Sequence, residues 1–226
     1  MVGIGPGNGA AFARRFAREG YQLALLSRTT ELSAALAAEI GEARAYACDA
    51  ADKEAVARTF AAIRHDLGEV DVLIYNAGSG VWGSVEDITP EQFESSWRIN
   101  TLGALLASQQ VIASMKQRKR GTILFIGATA SRRGGPRTAA FAPAKAAQRS
   151  LAESMARSLW PAGVHVALLS VDAVIDIPTT RARMPDKSDD FFAKPDDIAD
   201  HAYRLTQQPR STWAFEVEIR PFGETW

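Results

Sequence analysis

Cysteine is almost absent from this 226-residue sequence, in which Cys48 is the single example. One cysteine excludes a disulfide within the chain and fits a reducing compartment. An excess of either charge is also absent, because 26 lysines and arginines balance 26 aspartates and glutamates. A neutral chain gives no indication of a nucleic-acid or membrane partner, so we expect the partner to be a small molecule.

The sequence has no long hydrophobic run. No apolar stretch reaches the roughly 18 to 20 residues that cross a membrane. The glycine-rich start, MVGIGPGNG, has neither the basic residues nor the apolar run of a signal peptide. These absences favour a cytoplasmic protein. Apolar residues still make up 46% of the chain, which is enough for a hydrophobic core.

Short apolar runs separated by helical periodicity dominate the rest of the chain. DVLIYNAG, GTILFIGA and GVHVALLSV are typical of buried parallel strands. The alternation predicts an α/β, doubly wound parallel sheet in a single domain over residues 1–226. Helices are predicted near 10–19, 30–40, 52–66, 90–117, 138–159 and 195–207, and strands near 21–26, 43–47, 71–75, 121–126, 163–170 and 213–219.

A glycine-rich turn opens the chain. Residues 3–9, GIGPGNG, run directly into the helical AAFARRFAREG, a pattern that lets backbone amides and a helix N-terminus approach a pyrophosphate. A plain surface turn is the alternative. Such a turn normally follows a complete strand, yet only Met1 and Val2 precede it. We expect a truncated first strand, either because the natural start lies upstream, which we favour, or because the sheet tolerates a stub.

The end of the strand near 21–26 indicates the type of dinucleotide. Ser27 and Arg28 lie roughly 20 residues beyond the glycines, where an acidic residue would accept from a ribose 2′-hydroxyl. No acid is there. The guanidinium of Arg28 suits a 2′-phosphate, so NADP(H) is favoured over NAD(H). The alternative is a solvated arginine at a strand end.

Further motifs follow in order. Asp49 comes after the strand near 43–47, NAG occupies 76–78, NTLG occupies 100–103, and F-x-x-x-K occupies 141–145. With the glycine-rich turn, this set resembles the short-chain dehydrogenase/reductase family over nearly the whole chain. The resemblance implies a Rossmann-like, seven-stranded parallel sheet, a nicotinamide cofactor, and a homodimer or homotetramer.

The resemblance also implies the cofactor contacts. It assigns the pyrophosphate to the glycine-rich turn, the adenine to Asp49 and Ala50, the adenosine ribose to the NAG motif, and the nicotinamide carboxamide to the backbone of Ile175. The family's Pro-Gly pair is replaced by Asp172-Ala173. The predicted cofactor-binding residues are Gly3, Gly7, Asn8, Gly9, Ser27, Arg28, Asp49, Ala50, Asn76, Ala77, Gly78, Lys145 and Ile175.

The family's catalytic set is Asn, Ser, Tyr and Lys, and here those positions hold Asn100, Ala128, Phe141 and Lys145. In the family, the tyrosine protonates the developing alkoxide and the serine binds the carbonyl oxygen. The lysine lowers the tyrosine pKa and holds the ribose, and the asparagine anchors a water. Phenylalanine has no proton to give, so the proton donor is altered. Losing a general acid usually costs about 10² to 10⁴ in rate.

Two main functional hypotheses follow, besides a weaker one of a structural relic that binds no nucleotide, for which the stub of a first strand is the only argument. One is an NADP(H)-dependent oxidoreductase acting on a carbonyl, an alcohol or an activated alkene. Its proton would come from the substrate, from a water held by Lys145, or from the hydroxyl of Thr129, while Thr129 or Ser131 would replace the missing serine. The other is a non-catalytic NADP(H)-binding sensor or subunit partner. Two loops stay open: 131–137 is either an anion-binding wall or a solvated basic loop, and 176–194 is either a lid or a surface loop.

Overall fold

The apolar runs form one twisted parallel sheet in the computed structural model, which describes residues 1–224. The strands are β1 (Leu23–Ser27), β2 (Ala43–Ala47), β3 (Val72–Tyr75), β4 (Thr122–Ala128), β5 (His165–Val171), β6 (Val174–Ile175), β7 (Phe192–Ala193) and β8 (Glu216–Ile219). Within the described residues, β1 pairs with β2, and β3, β4, β5 and β8 pair in that order, all in parallel.

Helices cover both faces of this sheet. They are α1 (Asn8–Arg18), α2 (Glu31–Ile40), α3 (Lys53–Leu67), α4 (Pro90–Trp97), α5 (Gly103–Arg118), α6 (Phe141–Leu159), α7 (Pro178–Arg183) and α8 (Pro195–Thr206). One hydrophobic core lies under α3, α5 and α6, and a second lies under α1, α2 and α8. Every residue of β5 is buried, as expected for a central parallel strand. The predicted doubly wound α/β fold is confirmed.

The centre of the sheet is a stub, as the sequence predicted. Val2 makes isolated parallel bridges to Leu26 of β1 and Tyr75 of β3. Its amide donates to Ile74 O at 2.9 Å, and its carbonyl accepts from Asn76 N at 2.9 Å. One residue therefore joins the two halves of the sheet and carries the chain into the glycine-rich turn.

The predicted helix over 90–117 is wrong in one respect. Residues Arg98–Leu102 form a π-helical turn between α4 and α5. Within this turn the side-chain amide of Asn100 donates to Ser96 O at 2.8 Å. A π turn inserts an extra residue into the helix and is frequent at functional sites. Here it is the turn that carries Asn100.

The segment 176–194 is more ordered than the sequence suggested. It contains α7, and its neighbour β6 pairs with β7 in a two-stranded sheet. Arg181 holds it together by ion pairs to Asp176 at 2.7 Å and Asp189 at 2.6 Å. The strand predicted over 213–219 begins only at Glu216, and the helix predicted over 138–159 begins at Phe141.

Candidate cofactor and active site

The glycine-rich turn, β1, β2 and β3 end around one cleft of about 260 Å³. This is the edge of an open α/β sheet at which ligands bind. Eight of the predicted cofactor residues line the cleft: Gly3, Ser27, Arg28, Asp49, Ala50, Asn76, Ala77 and Gly78. Cys48 and Ile99 also line it, although no sequence motif selects them.

Two glycines allow the turn to lie against its neighbours. Gly3 has φ +93°, and a β-carbon there would collide with the backbone of Ala77. A β-carbon on Gly9 would lie 2.9 Å from both Gly3 O and the α-carbon of Ile4. Side chains at these two positions would push α1 away from the strands. Asn76 of the NAG motif also holds the turn, because its Nδ2 donates a hydrogen bond to Gly3 O at 2.7 Å.

The start of α1 has the character of an anion site. Within the described chain its first turn contains no acidic residue, and no side chain caps its amides. Nothing lies within 4 Å of a β-carbon placed on Gly5, so the space beside the turn is open. The buried Oδ1 of Asn8 has no hydrogen-bond partner among residues 1–224. Free amides at a helix N-terminus fit a phosphate group.

Arg28 is exposed at the end of β1 and lines the same cleft. No ion pair or hydrogen bond ties its guanidinium to another of the 224 described residues. Asp49, across the cleft, accepts from Ala51 N at 2.9 Å and shapes the turn before α3. The N-cap of α3 is Asp52 rather than Asp49. A guanidinium with no partner among these residues, in the same cleft as the glycine-rich turn, suits a second phosphate.

Lys145 and Asn100 meet beside Gly78. A β-carbon on that glycine would lie 3.2 Å from Asn100 Oδ1 and 4.0 Å from Lys145 Nζ. The buried Oδ1 of Asn100 has no hydrogen-bond partner within residues 1–224. Lys145 Nζ donates to Ile126 O at 2.9 Å and to Gln148 Oε1 at 3.1 Å. An ammonium has three protons, so the third remains for a ligand.

Burial changes the acidity of this lysine. Lys145 is 6% exposed, and desolvation lowers its pKa from 10.5 to about 8. Desolvation disfavours the charged form of a buried lysine because a low-dielectric interior replaces the hydration of the ammonium. Lys145 therefore changes protonation state close to neutral pH, where an ordinary lysine does not.

Phe141 begins α6, one helical turn before Lys145. Its ring lies 5.3 Å from the ring of Trp82, at an interplanar angle of 39°. Trp82 comes from the loop after β3 and remains 58% exposed. That loop is fixed to the segment before α6, because Gly83 N donates to Arg137 O at 3.0 Å and Gly83 O accepts from Ala139 N at 3.2 Å. An aromatic pair thus occupies the place of the family's tyrosine.

The hydroxyls of Thr129 and Ser131, near Ala128, each make a hydrogen bond within the protein. Ala128 ends β4, and its amide donates to Ser131 Oγ at 3.1 Å. The hydroxyl of Thr129 donates to Asp172 Oδ1. To replace the serine, Thr129 would have to give up its bond to Asp172, whereas Ser131 only accepts from Ala128 N and keeps its own proton for a donor bond.

Asp172, which stands in place of the family's proline, is 2% exposed. Besides Thr129, its carboxylate binds Arg220 and, at 3.3 Å, Arg133. Arg132 pairs with Glu216 at 2.9 Å. Because two arginines of 131–137 already face carboxylates, the structure favours a structural basic loop over an anion-binding wall.

The remaining predicted residues lie on the other side of the glycine-rich turn. A β-carbon on Gly7 would lie 3.0 Å from the side chain of Ile177 and 3.5 Å from that of Ile175. The carbonyl of Ile175 accepts from Ile177 N at 3.0 Å and from the Thr180 hydroxyl. The carbonyl of Ile175 is therefore committed within the protein.

One residue of the site escaped the sequence analysis. Gln148 is fully buried, accepts from Lys145, and donates to Asn100 O at 2.7 Å. It links α6 to the π turn. The available signal was a polar residue three positions after the lysine, on the same face of the helix.

A sequence model of the family described as short chain dehydrogenase matches residues 1–184. The chain belongs to this short-chain dehydrogenase family. Family members are oxidoreductases that bind NAD(P) and act on small molecules. The glycine cradle, the free amides of α1 and the orphaned polar atoms of Asn8 and Asn100 fit such a cofactor.

Individual relatives agree with the family assignment. The 3-oxoacyl-[acyl-carrier-protein] reductase MabA of Mycobacterium tuberculosis is 32% identical over 80% of this chain and 70% of its own. The inactive 2-(S)-hydroxypropyl-CoM dehydrogenase 2 of Xanthobacter autotrophicus is 30% identical over 85% of this chain and 90% of its own. The solved structure of a metagenomic short-chain oxidoreductase in complex with NADP has a TM-score of 0.85 and 28% identity, covering 99% of this chain and 96% of that one.

In the part of this short-chain dehydrogenase that the structure describes, no helix is long and apolar enough to cross a bilayer.

Proposed function

We propose that this short-chain dehydrogenase is an NADP(H)-dependent oxidoreductase whose proton donor is Lys145 instead of a tyrosine. The substrate is a carbonyl compound, its alcohol, or an activated alkene. The observation that carries the proposal is the position of Lys145 Nζ and Asn100 Oδ1 beside Gly78, which lines the cofactor cleft. The preference for NADP(H) is supported by Arg28 and by the NADP complex of the metagenomic relative.

The cofactor, when bound, supplies the hydride. The protein would bind and orient it: the amides at the start of α1 would hold the pyrophosphate, and Arg28 would hold the 2′-phosphate. Lys145 uses its third proton toward the nicotinamide ribose or toward the oxygen of the substrate. Asn100 Oδ1 accepts from a water or from the lysine, which fixes the direction of that proton.

Lys145 is suited to give a proton at neutral pH because burial lowers its pKa to about 8. In the reduction, the carbonyl carbon gains the hydride and the carbonyl oxygen gains a proton from Lys145 Nζ, directly or through one water. The neutral amine then regains a proton from solvent. A donor with a pKa near the working pH is an efficient general acid.

A second candidate is an NADP(H)-binding protein without turnover, acting as a sensor or as a subunit partner. Two observations favour it. The ring of Phe141 packs against Trp82 in the place of the tyrosine, and the Thr129 hydroxyl is already bonded to Asp172. The relative from Xanthobacter whose name describes it as inactive shows that similar chains are known without activity.

Two measurements on one preparation separate the candidates. The first is titration with NADPH and with NADH. The second is NADPH oxidation over a panel of ketones, aldehydes and activated alkenes, compared with Lys145→Ala. Saturable NADPH binding and a turnover that Lys145→Ala abolishes support the oxidoreductase. Binding with background turnover in both proteins supports the sensor. The homodimer or homotetramer and the cytoplasmic location stay predictions.

A further inference from the structure

A second cavity, of about 450 Å³, lies at the opposite edge of the sheet from the cofactor cleft. It is lined by residues that precede three strands: 116 and 119 before β4, 160–163 before β5, and 210 and 213 before β8. The cofactor cleft lies at the carboxyl ends of β1, β2 and β3, and no residue lines both. The second cavity has the size of a small-molecule site and takes no part in the function proposed above.

The charge of this cavity is positive. Its lining contains three cationic side chains, Lys116, Lys119 and Arg210, and no acidic residue of the described chain. The ammonium groups of Lys116 and Lys119 make no ion pair or hydrogen bond with residues 1–224, and Arg210 donates to the backbone carbonyl of Lys119. The neighbouring Arg118, in contrast, pairs with Asp71. Three cations around one cavity, without a carboxylate, favour an anionic ligand.

Lys119 has a backbone conformation that suits glycine. Its φ is +50°, and it is the one residue other than glycine with a positive φ in the part of the chain that the structure describes. A β-carbon on Gly163 would lie 2.6 Å from Lys119 O, so the turn before β5 packs directly on this residue. Arg210 bonds to the same carbonyl. Residues held in such a conformation are concentrated at binding and catalytic sites, which fits a use for the ammonium of Lys119.

Two tryptophans form the aromatic part of the lining. Trp213 stacks on His165, with ring centroids 4.8 Å apart and an interplanar angle of 8°. Trp160 lies 5.8 Å from Trp213 and 5.9 Å from His165, so the three rings form a triangle and Trp160 does not cover the second face of Trp213. Within residues 1–224 no aromatic ring lies on that face. Both indole N–H groups donate to backbone carbonyls, which fixes the two rings.

We propose that this cavity binds a phosphate monoester carried by a flat aromatic group. The ring stacks on the second face of Trp213, and the phosphate lies among Lys116, Lys119 and Arg210. A phosphate monoester has nearly two negative charges at neutral pH and three strong acceptor oxygens, which match three cations better than a single carboxylate does. Stacking on an aromatic side chain tolerates different rings, so a nucleotide and a simple aryl phosphate share this chemistry.

Titration of the isotope-labelled full chain with AMP and with naphthyl phosphate tests the site. The indole N–H resonances, assigned by single tryptophan-to-phenylalanine substitutions, report Trp160 and Trp213 individually. Trp82 and Trp97 are internal controls, because they lie in the loop after β3 and at the end of α4. We expect saturable shifts at Trp160 and Trp213. Adenosine, naphthol and inorganic phosphate each lack one half of the ligand and should bind about tenfold or more weakly.

The two probes distinguish the sources of the ligand. Shifts with AMP alone support a nucleotide, and shifts with naphthyl phosphate alone support a simple aryl phosphate. Raising the ionic strength should weaken binding of the phosphate probes and leave adenosine unaffected, because salt screens exposed charges.

Two substitutions remove charge from the cavity without disturbing the fold. Lys119→Gly places a residue that suits a positive φ, and Lys116→Gln keeps a helix-forming side chain at the exposed end of α5. We expect each substitution to weaken binding of the phosphate probes about fivefold or more. Lys187→Gln, at an exposed lysine after α7, is the matched control and should leave binding unchanged.

The absence of saturable shifts at Trp160 and Trp213 with both probes would overturn the proposal. Adenosine, naphthol or inorganic phosphate that binds as tightly as the phosphate probes would also overturn it, because one half of the ligand would then suffice. Equal affinity in Lys119→Gly and in the control, or shifts confined to Trp82, would place the probe elsewhere on the protein and overturn the assigned site.

Discussion

Lys145 donates a hydrogen bond of 3.1 Å to Oε1 of Gln148, one turn further along α6. The Nε2 of Gln148 in turn donates to Asn100 O at 2.7 Å. One buried amide therefore fixes both the lysine of the site and the π turn that carries Asn100. This link places Gln148 next to the chemistry as a positioning residue.

Replacing that amide should cost stability. Gln148→Leu leaves Asn100 O and one Lys145 proton without partners in a buried site, so we expect a loss of about 1 to 3 kcal/mol in the free energy of unfolding. Urea unfolding measures it. Gln109→Leu on the exposed face of α5 is the matched control. Equal stability of the two variants would show that the Gln148 amide contributes nothing.

The buried lysine predicts a dependence of stability on pH. Its pKa is about 8 when folded and 10.5 ordinarily, so the unfolded chain binds more protons between those values. Stability should therefore rise with pH from about 8 to 10.5. Below pH 8 the charged lysine should lower the free energy of unfolding by about 3 kcal/mol.

The comparison of the wild-type protein with Lys145→Met isolates this effect from other titrating groups. Urea unfolding at several pH values between about 7 and 10 should show a smaller rise of the free energy of unfolding with pH in the variant. Parallel stability curves for the two proteins would contradict a lowered lysine pKa.

The features predicted from the sequence are clearest at the ends of helices and strands. Thr89 and Gln92 form a capping box around Pro90 at the start of α4, where the sequence predicted the helix to begin. The glycine-rich turn and the residues after β1, β2 and β3 line one cleft, and their positions at strand ends follow from local conformational preferences and the period of buried strands.

The same reasoning does not predict ion pairs or hydrogen bonds between residues that are far apart in the sequence. Asp172 meets Arg133 and Arg220 across 39 and 48 residues, and no local pattern identifies which arginine faces a carboxylate. The π turn at Asn100 also has no local signature, since its residues suit an α-helix as well. The side-chain amide of Asn100 donates to Ser96 O. The carbonyl of Asn100 accepts from Gln148, which is 48 residues away.

Arg28 should decide between the two dinucleotides. Arg28→Ala removes a charge-assisted contact to the 2′-phosphate, so we expect NADPH to bind about tenfold or more weakly while NADH binding stays unchanged. Titration calorimetry measures both constants. Arg18→Ala, an exposed arginine at the far end of α1, is the control. A similar loss for NADH would show that Arg28 does not discriminate.

Restoring the family's hydroxyls should increase turnover. Phe141→Tyr combined with Ala128→Ser supplies a general acid and a hydrogen-bond donor to the carbonyl. We expect kcat to increase by a factor of about 10² or more on any substrate found in the panel. The pH profile carries a second readout. If Lys145 is the acid of the native protein, its kcat should fall as pH rises through about 8, as the pKa of Lys145 implies.

In the double variant, tyrosine supplies the proton and that fall should move to a different pH. Each single variant is a control, and each should gain less than the pair because the two hydroxyls act on the same oxygen. A double variant no faster than the native protein, with the same pH profile, would show that the missing hydroxyls do not limit turnover.

Asp172 should contribute more to stability than any exposed acid. Its carboxylate is buried with Arg220, while Arg133 is 57% exposed and contributes little to the pairing. Asp172→Ala leaves the guanidinium of Arg220 with Glu218 at 2.9 Å but without its buried partner, so we expect the free energy of unfolding to fall by about 3 to 5 kcal/mol.

Asp172→Asn keeps an acceptor for the Thr129 hydroxyl and should lose less stability. Asp186→Ala, on the exposed segment after α7, is the control, and urea unfolding compares the three. A loss for Asp172→Ala no larger than for Asp186→Ala would show that the buried pair costs as much in desolvation as it returns in attraction.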